Sequence, residues 1–503
     1  MNLINRKLPV LLKRDPEDIN FEWLYKVNDP KNQTRTSIDM TTWHDLEMNE
    51  MFVEINHCMT SAGEEKLTNW LLNPTDNEES YNQRKNLIDK YSGRDDNSKV
   101  ISSLSKVGFC DYDYRGILFE KDKERTRFKP LLVLLSLIIS VAFFAYIQNT
   151  FTLLLLGGTI LATMAFHYLY KLEYKDKLHA MAYISKVANF YVKNTDLIKD
   201  YKSDHNKVEE ASKALASYMK TLNYVEGSNP ILEMGLILTL NVERTNRKVQ
   251  EIIDTYREEI LECIDSVGLI DVLNSTCKLI KETDKIIHPN LIEGSQLEVE
   301  GMINPLIKDC VSNPLSLSSS MIITGSNMSG KSTYLRTVGI NILLAQALCI
   351  SYSERYSGPF YKLVSAISLK DDLNAGKSYF MMEAEAIKRM LQINGSGNVL
   401  YLIDEIFKGT NPIERLAASV EILNELSLKE KVIVTTHDLS ILDDLKGYDN
   451  YYFEHYVDHQ TLQFDHHIKE GISDVRNAIK LMEYINYPES IINNIYVRMD
   501  KSV

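Results

Sequence analysis

The sequence predicts an α/β domain built on a parallel sheet, following a mainly α-helical core that is split by a two-helix hairpin of membrane-spanning length. Three observations carry that reading. From about Pro289 onward, short β-branched runs alternate with helical patterns, as strands of a parallel sheet alternate with crossover helices. Residues 172–285 are rich in Lys, Glu, Leu and Ala, with apolar side chains recurring at threes and fours. Ahead of them, "PLLVLLSLIISVAFFAYI" (Pro130 to Ile147) and "FTLLLLGGTILATMAFHYLY" (Phe151 to Tyr170) contain no Asp, Glu, Lys or Arg.

Taken in order, the 503 residues exceed one compact core, and two to four domains are expected. The opening "MNLINRKLPVLLKRDPED" holds only five consecutive apolar residues, too few for a signal-peptide core. Residues 41–92 are patterned for helices broken at Pro74, with Asp76 and Asn77 suited to cap the next one. Each apolar run is long enough to cross about 30 Å of hydrocarbon at ~1.5 Å per helical residue. The three residues "QNT" between them make the turn. Basic flanks, "KDKERTRFK" before and "KLEYKDK" after, with Tyr146, Tyr168 and Tyr170 near the ends, predict both soluble parts on the cytoplasmic side. The helical block that follows is interrupted at "EGSNP".

Charge and cysteines narrow the class. With 56 basic against 69 acidic residues, the net charge of −13 repels a phosphate backbone unless basic residues cluster. Cys58, Cys110, Cys263, Cys277, Cys310 and Cys349 form no CxxC pair, so neither a zinc knuckle nor a disulfide framework is suggested.

The α/β domain holds the chemistry. "SMIIT" (Ser320 to Thr324) reads as a buried strand, "GSNMSGKS" fits GxxxxGK[ST], and a helix follows. Backbone N–H groups of such a loop cradle phosphate oxygens, Lys331 reaches the terminal phosphates, and Ser332 offers its hydroxyl to Mg²⁺. "NVLYLIDEI" sets Asp404 and Glu405 at the end of an apolar strand, where one carboxylate holds the magnesium shell while its neighbour orients or deprotonates water. A third strand, "KVIVTTHD", ends at His437, suited to a γ-phosphate switch. The histidines of "FEHYVDHQTLQFDHHIK" (His455, His459, His466, His467) alternate as in a plain β-hairpin, not as metal ligands on a helix.

These segments carry a family resemblance. "TGSNMSGKSTYLR", "DDLNAGKSYFMMEAEAI", "LIDEIFKGTNP" and "TTHDLSIL" resemble, in order and spacing, the ATPase domain of the MutS proteins, an ABC-type branch best known from DNA mismatch repair. The stretch from "MNEMFVEINHC" to "LIDKY" looks like the opening of the MutS core, and "IDSVGLIDVLNSTCKLI" like the helix leading into the ATPase. "EGISDVRNAIKLMEYINYPESIINNIY" is similar to the C-terminal pairing element. The resemblance implies an ABC-type P-loop ATPase using ATP and Mg²⁺. Gly325, Ser326, Asn327, Met328, Ser329, Gly330, Lys331, Ser332 and Thr333 would bind nucleotide, with Asn327 at the γ-phosphate. Ser332 and Asp404 would hold the metal, Glu405 would be the base, and His437 the switch. Ser378, in "NAGKSYF", would reach the nucleotide of a second copy, which implies a homodimer.

Departures are part of the pattern. Only about 40 residues precede the core, no mismatch-reading segment is expected there, and 172–285 lack the alternation of a β clamp. "FKGTNPIER" is nearer the MutS branch without a reader, and Cys310 and Val311 stand where an aromatic often stacks on adenine. The expected plan is an N-terminal segment (1–40), a helical core (41–125), the transmembrane hairpin (126–172), a second helical part (173–288) and the ATPase domain with its dimerisation element (289–503). The expected function is a dimeric ATPase in the cytoplasmic membrane that grips duplex or branched DNA. The alternative is a membrane-tethered switch acting on a protein partner, and a transporter engine ranks behind both.

Overall fold

The structure, a computed structural model, describes residues 16–27, 33–119, 130–201, 206–223, 230–294, 296–326, 329–367, 379–393, 398–407, 411–458, 461–472, 482 and 487–500. The α-helices before the first strand are α1 (Phe21–Lys26), α2 (Met40–Asp45), α3 (Met48–Ile55), α4 (Ser61–Leu72), α5 (Glu78–Ser92), α6 (Ser98–Val107), α7 (Gly116–Phe119), α8 (Pro130–Ile147), α9 (Thr150–Glu173), α10 (Lys175–Lys193), α11 (Thr195–Lys199), α12 (Asn206–Ala216), α13 (Met219–Asn223), α14 (Pro230–Leu238), α15 (Asn241–Thr255) and α16 (Arg257–Glu282). The chain gathers into two compact units, each assembled from separate stretches. One comprises Met1–Asn28, Asn56–Thr68 and Asp89–Lys278, the other Asp29–Ile55, Asn69–Ile88 and Leu279–Val503.

Among its described residues the first unit has helices and no strand. Its α4 and α16 approach closely where each carries a glycine. A Cβ on Gly268 would stand 2.5 Å from the Ala62 carbonyl oxygen, and one on Gly63 would stand 2.2 Å from Asp271 Oδ2. Asp271 is buried there and accepts from the Thr60 hydroxyl (2.7 Å) and the Met59 N–H (3.0 Å) at the start of α4. Burial penalises its charge more than those bonds favour it, and pushes the carboxyl up to about 7. An unfolded aspartate releases its proton near pH 4 and the folded one near 7, so within that window the folded chain holds the extra proton and rising pH works against folding. Thermal midpoints of the detergent-solubilised protein are expected to fall from pH 5 to pH 8. Asp271→Asn should flatten that slope in part, since burial pushes Glu65 up in the same sense. A slope identical in both proteins would assign the effect elsewhere.

The apolar hairpin is borne out as two helices long and apolar enough to cross a membrane, with a one-residue shift in the turn. Thr150 already belongs to α9, because Asn149 caps that helix by accepting from the Thr152 N–H (2.9 Å). Most side chains of both helices point outward, Leu131 and Leu161 among them, while Ser140 and Thr159 share a hydrogen bond of 2.7 Å between the helices. Toward its C-terminal end α9 is clipped to α15. His167 Nδ1 lies 2.7 Å from Glu243 Oε1, and Asn246 donates to the Tyr170 hydroxyl at 2.5 Å.

The second unit contains the sheets. Strands β1 (Ile286–Ile287), β2 (Asn290–Leu291), β3 (Leu297–Met302), β4 (Asn313–Leu317) and β5 (Ser320–Thr324) precede α17 (Lys331–Leu348). Then come β6 (Ser351–Tyr352), β7 (Arg355–Gly358), β8 (Lys362–Ala366), α18 (Tyr379–Leu391), β9 (Val399–Asp404), α19 (Pro412–Lys429), β10 (Lys431–Thr436), β11 (Tyr448–Asp458), β12 (Thr461–Glu470) and α20 (Glu489–Asp500). The main sheet runs β12-β11-β5-β10-β9-β8, parallel from β11 to β8, with β12 antiparallel at one edge. Smaller sheets of order β2-β7-β3-β4 and β1-β6 complete it. Strand alternation divides the core. Tyr401, Ile403, Val432 and Val434 pack with Met390 of α18 and Leu423 and Leu426 of α19, whereas Leu402 meets α17 beside Gly339. In the same unit the helix break at Pro74 is as expected, and Asn77 accepts from the Ser80 N–H at 2.8 Å to start α5.

Candidate active site

Side chains of chemical interest collect where the parallel strands end, since every parallel strand points its C-terminus the same way. β5 runs into Gly325, whose φ of 143° and that of Gly330, 112°, are backbone conformations open to glycine. Between them a side chain would also collide: a Cβ on Gly325 would come within 2.8 Å of the Phe453 carbonyl oxygen. Gly330 then caps α17, whose first residues are Lys331, Ser332 and Thr333. Lys331 is buried and donates to the carbonyls of Gly325 (2.7 Å) and Ser326 (2.8 Å), so its ammonium sits inside the loop.

The register of the sheet does the rest. Thr435 pairs with Asp404 and Thr436 with Thr324, which brings the ends of β9 and β10 alongside the loop. Ser332 donates to Asp404 Oδ2 at 2.6 Å and Thr435 to Asp404 Oδ1 at 2.5 Å. One residue further the backbone of Glu405 turns left-handed (φ 58°), a conformation uncommon for a residue with a side chain. Its N–H still reaches the Thr435 carbonyl (3.2 Å), and its Oε1 lies 3.2 Å from His437 Nδ1. His437 is followed by Asp438, which pairs with Arg415 at 2.9 Å.

Lys331, Ser332, Asp404 and Glu405 face a cleft of about 770 Å³ whose other wall includes Met302, Ile307, Cys310, Val311 and Asn313. Hard oxygen donors at the Ser332–Asp404 contact suit Mg²⁺. The Ser329 hydroxyl is buried with no partner among the described residues, which suits an incoming phosphate oxygen. Of the residues expected from sequence, Gly325, Ser326, Ser329, Gly330, Lys331, Ser332, Thr333, Asp404, Glu405 and His437 stand together. Asn327, Met328 and Ser378 lie outside the described residues.

Two neighbours escaped sequence reading. The hairpin of β11 and β12 is as expected, but His466 does not follow its alternation. Pairing jumps from Phe453↔Ile468 to His455↔Phe464, a bulge in which His466 takes φ 52°. The bulge turns the His466 ring to the loop, with Nδ1 3.2 Å from the Ser329 carbonyl oxygen, on the cleft wall. Thr435 was hidden for another reason: only strand register puts it on Asp404.

Residues 321–501 match the family model described as MutS domain V. The chain carries a domain of the MutS family. It is 31% identical over 261 residues to the DNA mismatch repair protein MutS of Listeria welshimeri, a match covering 49% of this chain and 30% of that relative. The corresponding proteins of Persephonella marina (28% over 262 residues) and Caldicellulosiruptor bescii (25% over 263) match to a similar extent. The matched stretch thus spans about a third of the length of these MutS relatives. Every described strand-end group of the cleft falls within the domain V match.

Proposed function

We propose that this MutS-family chain is a membrane-anchored ATPase that binds and hydrolyses ATP as a homodimer, and that the cycle changes its grip on duplex or branched DNA. The observation that carries the reading is the Ser332–Asp404–Thr435 contact beside the buried Lys331, at the ends of parallel strands. Glycine-rich loop amides and Lys331 would bind the phosphates, and Ser332 and Asp404 would hold Mg²⁺, which when bound neutralises developing phosphate charge. Glu405 is set to accept a proton from water as the water oxygen bonds to the γ-phosphorus and the bridging oxygen leaves with ADP. His437, whose Nδ1 lies 3.2 Å from Oε1, would orient that carboxylate. MutS relatives named for mismatch repair support the DNA partner. The outward apolar faces of α8 and α9 support a bilayer around the hairpin, with Gln148 to Thr150 outside and the ATPase domain in the cytoplasm.

The net charge of −13 favours a second reading, a tethered switch whose partner is a protein. One titration separates the two. The full chain in vesicles, with Mg²⁺ and ATP, is expected to bind duplex or branched DNA with an affinity that falls as salt rises, because phosphate contacts release counterions. Hydrolysis without DNA binding at low salt would remove DNA and leave the protein-partner reading. Extraction of the chain without detergent would remove the membrane.

A further inference from the structure

Helix α2 lies far from the phosphate loop in sequence, yet it seals the β8 edge of the main sheet. In a parallel sheet the outer N–H groups of an edge strand are left without a ladder partner. Here alternate groups of the β8 segment are taken by α2 side chains. The Ser365 N–H donates to the Thr42 hydroxyl (3.3 Å), and the Ile367 N–H donates to Asp45 Oδ2 (2.9 Å). The Ser365 hydroxyl donates to the same Asp45 oxygen at 2.6 Å. Thr42 and Asp45 are both buried. Arg389 of α18 straddles the junction, donating to the Ser365 carbonyl (2.5 Å) and to Asp39 (2.8 Å), which caps α2.

The other side of the same segment rests on the phosphate-loop helix. Arg336 of α17 donates to the Asp45 carbonyl at 3.0 Å and stands 3.3 Å from Glu47 Oε1. A Cβ on Gly339 of α17 would lie 2.4 Å from the buried Leu46, so no side chain separates them. Lys331 and Arg336 are five residues apart on one helix.

We propose that residues 39–47 couple the phosphate-loop helix to the end of β8, and that Asp45 is the positioning residue of that coupling. The proposal rests on the ATPase reading above and adds a residue to it. A shift of α17 on nucleotide binding is passed by Arg336 and Leu46 to Asp45, and from there to the Ile367 amide. Asp45 touches neither phosphate nor water, so its loss is felt in turnover and not in nucleotide affinity.

The full chain in detergent tests this by two readouts. Asp45→Ala is expected to lower kcat about tenfold or more, since small misplacements of catalytic geometry are costly, with ATP affinity within about twofold. Asp45→Asn should recover most of the rate, because its amide oxygen can accept both hydrogen bonds. Amide hydrogen exchange in the peptide ending at Ile367 should respond to Mg²⁺ and ATP in the wild type and not in Asp45→Ala. Should Asp45→Ala fail to fold, Thr42→Val, of the same shape, is read by the same pair of measurements. An unchanged kcat, or kcat and ATP affinity falling in parallel, overturns the coupling. If the wild type binds ATP without hydrolysing it, the ATPase reading falls, and the exchange response alone decides for or against Asp45.

Discussion

Glu405→Gln is expected to bind ATP as the wild type does and to hydrolyse it at least about 100-fold more slowly, the usual range for losing a positioned general base. The amide fills the same volume, so the left-handed turn after β9 is kept. What is lost is the ability to take a proton from the attacking water. Lys331→Ala should behave differently, losing nucleotide binding itself, because the loop would have no cation among its phosphates. Single-turnover hydrolysis beside equilibrium nucleotide binding separates these cases. Wild-type turnover by Glu405→Gln would take the role of base away from Glu405.

The second large effect is expected from mixing subunits. Ser378→Ala and Lys331→Ala chains should each be nearly inactive alone, since removing one donor to transition-state charge costs on the order of 100-fold. Mixed at equal amounts, they should recover about a quarter of wild-type activity, because half the dimers are hybrids and each has one intact site of two. In the proposed dimer the competent site would join the loop of one chain to the Ser378 of the other. Confinement to vesicles should make turnover independent of protein concentration, whereas a variant without residues 130–170 should show activity that rises with it, as effective concentration requires. Full activity of Ser378→Ala alone would remove the second chain from the chemistry.

What could be read from sequence was local. The strand Ser320–Thr324 and the position of Asp404 at the end of β9 are set by runs of apolar β-branched residues followed by a glycine or an acid, so no distant partner is needed to see them. The same holds for Asn77 at the start of α5 and for the two apolar helices. The turn was misread by one residue because a capping side chain, not hydropathy, decides where α9 begins. Contacts set by register, bulge or edge were not legible. Thr435 meets Asp404 only through the pairing of β9 with β10, and His466 reaches the loop only because a bulge breaks the alternation. Asp45 looks like one more acid in a short helix until β8 is laid against it.

The seal of α2 on β8 also orders events during synthesis. Ser365 follows Asp45 by 320 residues, and at ~5–20 residues per second a ribosome needs roughly 15–60 s to cover that distance. For that interval Trp43, Leu46 and Met48, all fully buried in the finished protein, have no sheet to rest on. The two apolar helices emerge during the wait, ahead of every strand. The nascent chain therefore carries an unsatisfied apolar segment past its hairpin before the sheet exists, and the step that ends this exposure is the arrival of β8. Slowing translation between residues 173 and 362 should lengthen the period in which the chain depends on chaperones, with no change in the finished fold.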